Sequence, residues 1–135
     1  EEPRGVVITV DTGLLFALDR ATLLVSAQPR LDQIAEALKD QGPRRRMVVE
    51  AHTDTLGPQA RTLPLSQARA GAIRDYLISR GLAPEQLLAI GLGSSRPLVD
   101  NLTPRNRATN RRVEIVIQGG GLSSLDRPSY PSPEH

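Results

Sequence analysis

A compact apolar run that leads into a polar triplet constrains the fold of this chain more than any other feature. Residues 47–49 (Met-Val-Val) form the run, and residues 52–54 (His-Thr-Asp) form the triplet. A spacer with glycine and proline follows, and apolar residues then recur at helical spacing over residues 66–80. This order predicts a strand that passes through a loop into a helix, with Asp54 in the loop.

The predicted second helix carries Arg69 on its apolar face. On a wheel of 3.6 residues per turn, Arg69 lies about 40° from Leu65, inside the arc of apolar side chains. With Ser66 as the N-cap, Arg69 would also lie in the first helical turn, where the helix dipole disfavours a cation by up to about 1 kcal/mol. We therefore expect a carboxylate to face Arg69.

The other periodic patterns predict a small α/β (α+β) sandwich. Strand patterns occupy residues 6–10, 46–52, 87–92 and 112–118. Helical spacing occupies residues 23–39 and 66–80, and the first helix should start near Pro29 with Ser26 or Gln28 as its cap. The polar segment 93–110 is predicted to be a loop. The resulting order, β-α-β-α-β-β, implies two helices packed on one face of a small mixed sheet.

Length and composition indicate one domain followed by a tail. The chain has 135 residues and no cysteine, which excludes disulfides and thiolate metal sites. Residues 1–118 are long enough for one core. Residues 119–135 are rich in Gly, Ser and Pro and are predicted to be flexible. No apolar stretch reaches the roughly 18 residues of a membrane span. Because the chain begins with Glu1, we expect a processed or excised domain whose membrane anchor lies upstream.

The charge composition does not favour a nucleic-acid partner. The net charge is only +2, although the chain has 17 basic residues, of which Lys39 is the sole lysine. The three aromatic residues, Phe16, Tyr76 and Tyr130, are too few for a platform that stacks bases. Binding through the arginine surplus would fall steeply with salt and would not depend on Asp54. We predict no nucleic-acid binding.

Four short motifs, in order, are similar to those of one known family. They are Leu15-Phe16 with Leu23, His52-Thr53-Asp54 with Gly57, Leu65-Ser66-x-x-Arg69-Ala70, and Asn110-Arg111-Arg112-Val113-Glu114. Together they cover about residues 6 to 118 and resemble the periplasmic OmpA-like domain. That domain is the peptidoglycan-associating module of Gram-negative outer-membrane proteins, lipoproteins and flagellar stator proteins. The resemblance implies a peptidoglycan-binding domain over residues 1–118.

The resemblance also implies a site for the diaminopimelate of the peptidoglycan peptide stem. In the family, an aspartate and a helix arginine bind this group, and they correspond to Asp54 and Arg69. The first arginine of the Asn-Arg-Arg motif, here Arg111, approaches the same ligand. The side chain of diaminopimelate ends in an ammonium and a carboxylate on one carbon. Asp54 could accept from the ammonium while Arg69 donates a bidentate pair to the carboxylate.

Further residues are predicted to assist this site. The Thr53 hydroxyl or amide and, more weakly, Thr62 would add contacts. Thr62 departs from the family pattern, which has asparagine at this position, and its shorter side chain predicts weaker binding. The supporting residues are His52, Gly57, Leu65 and Asn110.

Structural roles remain open for the same residues. Asp54 alone fits an Asx turn, and Arg69 alone fits a buried ion pair with Asp54. Arg111 and Arg112 should lie on alternate faces of their strand, Arg112 toward Glu50 or Glu114.

Catalytic and metal sites are not predicted. His52 and Asp54 lack a third catalytic partner, and His135 lies in the tail. His52 is instead expected to cap its strand and steady the loop. We predict no enzymatic activity, cofactor or metal.

Two functions follow from these patterns. The first is a non-covalent wall anchor in the periplasm, tethered to the outer or inner membrane by a segment outside this chain. The alternative is a degenerate OmpA-like domain that serves as a protein-interaction or dimerisation module in an envelope or secretion complex. Possible partners are therefore peptidoglycan, a second copy of the chain or an envelope protein.

Overall fold

A computed structural model describes residues 5–119, and every structural statement below concerns that part of the chain. Four strands and three helices are present within it. In chain order they are β1 (Val6–Asp11), α1 (Gln28–Lys39), β2 (Met47–His52), α2 (Gln59–Ser79), β3 (Leu87–Gly93), α3 (Pro104–Asn110) and β4 (Arg112–Ile117). All four predicted strands are confirmed. The predicted flexible tail, except Gly119, lies outside the described residues.

The strands form one mixed sheet in the order β1-β4-β2-β3. β4 is antiparallel to β1 and β2, whereas β2 and β3 are parallel. In this register Asp11 and His52 both lie opposite Arg112. The chain therefore leaves β1, leaves β2 and enters β4 at the same end of the sheet.

The core lies between one face of the sheet and the helices α1 and α2. It contains Leu31 and Leu38 from α1, Ile73 from α2, and Val49 and Ile115 from the sheet. The opposite face carries a smaller apolar cluster that includes Val48 and Val116, since side chains alternate along a strand. The predicted packing of two helices on one face of a mixed sheet is confirmed.

The edge strand β3 is held directly by side chains of α2. The Gln67 amide accepts from Gly91 N (2.7 Å) and donates to Ala89 O (3.1 Å). Ser66 Oγ accepts from Gly93 N (3.0 Å). A Cβ at Gly91 would overlap the backbone nitrogen of Gln67, so only glycine permits this close approach. These contacts fix α2 against the sheet. They also occupy backbone groups of the edge strand β3 that could otherwise pair with another strand.

The start of α2 differs from the sequence prediction. The helix begins at Gln59, about two turns before the predicted N-cap Ser66. It contains Pro64. Proline within a helix costs about 3 kcal/mol because it removes a backbone donor. Two residues after Pro64, the bond from Gly93 N to Ser66 Oγ connects the helix to β3. Arg69 therefore lies in the middle of α2, and the argument from the helix dipole is wrong.

The segment 93–110 contains α3, so the element order β-α-β-α-β-β is corrected to β-α-β-α-β-α-β. Thr103 caps this helix by accepting from Asn106 N (3.1 Å), and Pro104 occupies its first position. The helix has only seven residues, and Asn110 is its one buried side chain. Hydrophobic periodicity could not reveal it, whereas the Thr-Pro pair is a start signal that was overlooked.

The start of α1 is also corrected. The helix begins at Gln28 with Pro29 second, and its N-cap position is Ala27, which makes no side-chain cap. The predicted caps Ser26 and Gln28 are therefore wrong. Within residues 5–119, no helix combines the length and apolar character needed to cross a membrane.

Candidate functional site

A cavity of about 770 Å³ lies at the end of the sheet where β1, β2 and β4 meet. Its wall comes from the segment after β1, the loop after β2, the first half of α2 and the residue before β4. The five residues predicted to bind a ligand all line it: Thr53, Asp54, Thr62, Arg69 and Arg111. Gly57 and Leu65 line it as well. The register of the sheet explains this convergence, because it places these strand ends side by side.

Asp54 is almost fully buried, and both its oxygens are engaged. Oδ1 accepts from the backbone N–H of Leu56 (2.9 Å), which is the Asx turn considered from the sequence. Oδ2 accepts from Nη1 of Arg111 in a hydrogen-bonded ion pair. The loop thus presents a fixed carboxylate whose charge is balanced by Arg111, the residue before β4.

Arg69 is buried without pairing to Asp54, so the predicted direct ion pair between these two residues is absent. Its Nε donates to Arg20 O (2.8 Å) and its Nη2 to Ala17 O (3.4 Å). The guanidinium also lies 5.3 Å from the centre of the Phe16 ring, a cation–π contact. Carbonyls and an aromatic face therefore stabilise this cation, together with Asp19.

The charge of Arg69 survives this burial. Removal from water lowers the pKa of Arg69, while the negative charge of Asp19 opposes that shift. A guanidinium titrates so far above neutrality that it stays protonated. The cavity wall therefore contains a permanent cation in a poorly hydrated place.

Arg111 is the most exposed of the predicted ion-pair residues. Its side chain is 42% exposed, against 9% for its partner Asp54. Its backbone is fixed, since Arg111 N donates to Arg107 O at the end of α3 and Arg111 O accepts from Thr12 N after β1. A partly exposed side chain on an anchored backbone can exchange partners.

The two threonines differ in what they contact. Thr53 N donates to Gly93 O (2.8 Å) and Thr53 Oγ1 donates to Asp54 O (2.9 Å), so both donors of Thr53 are engaged in holding the loop. Thr62 is buried in the first turn of α2. Its hydroxyl makes no hydrogen bond with any other residue of the described segment, and the residue lines the cavity.

His52 does not line the cavity, and it is the last residue of β2. Its Nε2 lies 3.3 Å from Glu50 Oε1 and 4.0 Å from Glu114 Oε1. Arg112 Nε donates to Glu114 Oε2 (2.7 Å) in the same cluster, which confirms the predicted acid partner of Arg112. By strand alternation these four buried side chains lie on the face opposite α1 and α2.

This outer cluster has the donor types of a metal site. The ligand atoms of Glu50, His52 and Glu114 lie within 4.8 Å of one another. However, Arg112 already supplies a positive charge to Glu114 at this position. The cluster is therefore interpreted as a buried charge network on the sheet, in which Arg112 is the ion-pair partner of Glu114.

Asn110 supports the site from outside the cavity. Its Oδ1 accepts from Leu98 N (2.9 Å) and its Nδ2 donates to Val99 O (2.9 Å) and to Asn101 Oδ1 (3.0 Å). These bonds tie the segment before α3 to the last residue of that helix. Asn110 thereby fixes the backbone from which Arg111 extends.

Sequence reasoning missed the contribution of the segment after β1. Phe16 and Asp19 of that segment line the cavity, although neither was predicted as a site residue. Arg61 of α2 also lines the cavity and was not predicted either. An antiparallel bridge between Phe16 and Leu23 closes that segment into a loop. Asp19 has a positive φ of 60°, a conformation that aspartate tolerates better than most residues. The motif pair Phe16 and Leu23 was the available signal for this loop.

Comparison with known proteins gives one consistent family. The OmpA family model matches residues 15–111. The peptidoglycan-binding protein ArfA of Mycobacterium tuberculosis (strain H37Rv) is 39% identical over 104 residues, which cover 77% of this chain and 32% of that protein. The chain thus spans about a third of the length of this curated relative.

Solved structures agree with that match. The peptidoglycan-associated lipoprotein from Burkholderia pseudomallei superposes with a TM-score of 0.68 at 31% identity, covering 78% of this chain and 88% of that one. The cell wall anchor of the T6SS from Pseudomonas aeruginosa gives a TM-score of 0.72 at 33% identity, with 84% and 81% covered. The fold, the four motifs and these matches together show that the chain belongs to the OmpA family.

Proposed function

We propose that this domain binds peptidoglycan non-covalently and recognises the diaminopimelate of its peptide stem. The observation that carries the proposal is the convergence of Asp54, Arg69 and Arg111 on one cavity. A buried carboxylate beside two guanidinium groups complements a zwitterion, in which an ammonium and a carboxylate share one carbon. Family membership supports the wider function, since OmpA-like relatives bind or anchor to peptidoglycan and are not enzymes.

Recognition would begin with an exchange at Asp54. The ligand ammonium donates to Asp54, while the exposed Arg111 side chain turns toward the ligand carboxylate. Arg69 contributes the amino groups that the protein leaves least engaged: Nη1 has no hydrogen-bond partner in residues 5–119, and Nη2 has only the long bond to Ala17 O. Lysine at position 69 would keep the charge but lose this planar pair of donors.

A single stem should bind only modestly. Charge-assisted hydrogen bonds contribute about 1.5 to 3 kcal/mol each, whereas association itself costs about 4 kcal/mol or more. A polymer that carries many stems, met by a tethered protein, gains retention through effective concentration. We infer an anchoring role in the periplasm for a protein tethered through a segment outside this chain.

One observation favours the alternative of a protein-interaction or dimerisation module. Thr62 lines the cavity where the family has asparagine, and its hydroxyl has no hydrogen-bond partner in the described segment. Exposed leucines, Leu18 and Leu56, also line the cavity. If Thr62 marks a lost ligand site, these apolar side chains would instead meet a protein.

Calorimetric titration with a diaminopimelate-containing stem peptide tests the proposal. We expect saturable binding by the wild type, and loss of at least tenfold in affinity for Asp54→Ala and Arg69→Lys. A stem with lysine in place of diaminopimelate should bind weakly, because it lacks the second carboxylate of the zwitterion.

Asp75→Ala is the matched control, because it removes an exposed carboxylate of α2 outside the cavity and should bind as the wild type does. Circular dichroism verifies that each variant is folded. A folded wild type that binds neither stem would contradict the proposal and turn attention to protein partners.

A further inference from the structure

Arg61 is a charged side chain of the cavity wall that has no ion-pair partner within residues 5–119. Five charged side chains line it, Asp19, Asp54, Arg61, Arg69 and Arg111. Asp54 pairs with Arg111, and the charge of Asp19 acts on Arg69. Arg61 makes no ion pair or side-chain hydrogen bond with any residue between 5 and 119. Three guanidinium groups thus face two carboxylates, and the wall carries one net positive charge.

The guanidinium of Arg61 lies close to the backbone of Gly57. A Cβ built on Gly57 would lie 2.7 Å from Nη2 of Arg61, and the φ of Gly57 is +89°. Glycine at this point therefore leaves room for the guanidinium to fold back over the loop that carries Asp54. From the first turn of α2, the solvent-exposed Arg61 side chain forms part of the rim of the cavity.

A zwitterion alone does not use this third cation. The ammonium and carboxylate at the end of diaminopimelate sum to zero charge, and Asp54, Arg69 and Arg111 already complement both groups. A ligand that matches the whole wall would carry one additional negative charge. The peptide stem can supply it, since its other carboxyl groups are anionic when free and neutral when amidated.

We propose that Arg61 binds a second carboxylate of the stem and makes the site selective for stems with free carboxyl groups over amidated ones. This inference rests on the proposed function, because it assumes that a stem occupies the cavity. A guanidinium donates to a carboxylate with charge and geometry that a carboxamide does not match. Arg61 is thus a residue that determines specificity beside the recognition of the zwitterion.

A two-by-two titration tests the proposal. One peptide is the diaminopimelate stem with all carboxyl groups free, and the other is the same peptide with every carboxyl group amidated except the one beside the side-chain ammonium. Wild type should bind the free stem about three- to tenfold more tightly. Arg61→Gln should bind both stems equally, at the affinity that the wild type has for the amidated stem.

Arg105→Gln is the matched control, since it removes an exposed arginine of α3 that does not line the cavity, and it should keep the wild-type preference. Arg61→Lys should keep a reduced preference, which separates charge from loss of side-chain bulk. Equal affinity of the wild type for the two stems overturns this inference alone. No binding of either stem by the folded protein overturns the proposed function and this inference with it.

Discussion

Two adjacent arginines, Arg111 and Arg112, occupy opposite sides of the sheet and form two different kinds of ion pair. The Arg111 side chain is 42% exposed and bonds to Asp54 in the cavity wall. The Arg112 side chain is 4% exposed and bonds to Glu114, whose side chain is 5% exposed. Arg112 is the first residue of β4, whereas Arg111 precedes the strand and lines the cavity at the end of the sheet. The comparison teaches that burial, not residue type, distinguishes a pair that can exchange partners from one that maintains the fold.

The largest expected effect is on the buried side of this comparison. Arg112→Ala leaves the Glu114 carboxylate buried beside Glu50, directly opposite it in the register. Removing one partner of a buried pair typically destabilises by about 3–5 kcal/mol. We expect that loss in the free energy of unfolding, measured by urea denaturation. If Arg112→Ala and Arg111→Ala lowered the free energy of unfolding by equally small amounts, the distinction between a structural and an exchangeable ion pair would be contradicted.

A second substitution tests whether α2 must be held tightly for the cavity to form. Gly91→Ala places a methyl group against the backbone of Gln67, and overpacking of this kind costs about 1–3 kcal/mol. Because α2 carries Arg69 and Thr62, we also expect weaker stem binding by calorimetry.

The control for this substitution is Gly71→Ala, which lies on α2 itself, where an added Cβ meets nothing within 4 Å. It should raise stability, since alanine favours a helix over glycine by about 0.5–1 kcal/mol. A neutral Gly91→Ala variant would mean that α2 is not fixed at this contact.

For the partly exposed pair of Arg111 and Asp54, we expect an effect on ligand binding instead of stability. Arg111→Gln should change the free energy of unfolding by less than about 1 kcal/mol, because partly exposed pairs contribute little. The same variant should lose about tenfold in affinity for the stem, as one charge-assisted bond disappears. Urea denaturation and calorimetry on one preparation separate the two effects. A stability loss as large as that of Arg112→Ala would contradict the assignment.

The smallest effect is expected at the exposed pair between α1 and α2. Arg80 donates to both oxygens of Asp32, and Tyr76 also donates to Oδ1. Hydrogen bonds from Arg80 and then Tyr76 lower the pKa of Asp32 below its ordinary value of 3.8. The native state therefore favours the ionised carboxylate.

The pH dependence follows from that direction. The stabilisation by Asp32 is present above pH 3.8 and is lost as the pH falls through the lowered pKa of the folded state. Asp32→Asn should thus unfold at a slightly lower temperature than wild type at neutral pH. The difference should vanish in acid, as measured by thermal unfolding across pH. A difference that grows in acid would contradict this sign.

The regular elements were largely readable from the sequence, whereas their ends were not. Alternation in residues 112–118 located β4, and the same alternation predicted that Arg112 would face an acid. Ser66, by contrast, was taken for a cap because Pro64 resembles a helix boundary. Its real role is a bond to Gly93 on the neighbouring strand, which no local pattern reveals.

The candidate site divides in the same way. Motif spacing identified Asp54, Arg69 and Arg111, and the structure brings all three to one cavity. Motif spacing could not show that Asp54 pairs with Arg111 while Arg69 binds the carbonyls of Ala17 and Arg20. Those partners lie dozens of residues away in the chain, and only the register of β1, β4 and β2 sets their distances.

By itself, the sequence determined the local structure of this protein: where hydrophobic periodicity changes from strand to helix, which loop carries Asp54, and which residue types are available for a charged site. Local structure depends on steric and hydrogen-bonding preferences within a few residues. Only the tertiary structure decided which charge meets which, that His52 faces away from the cavity, and that Arg61 lies over Gly57 without a counter-ion in the described segment. Electrostatic pairing depends on distance and burial in three dimensions, which the packing of α2 and the order of the strands alone establish.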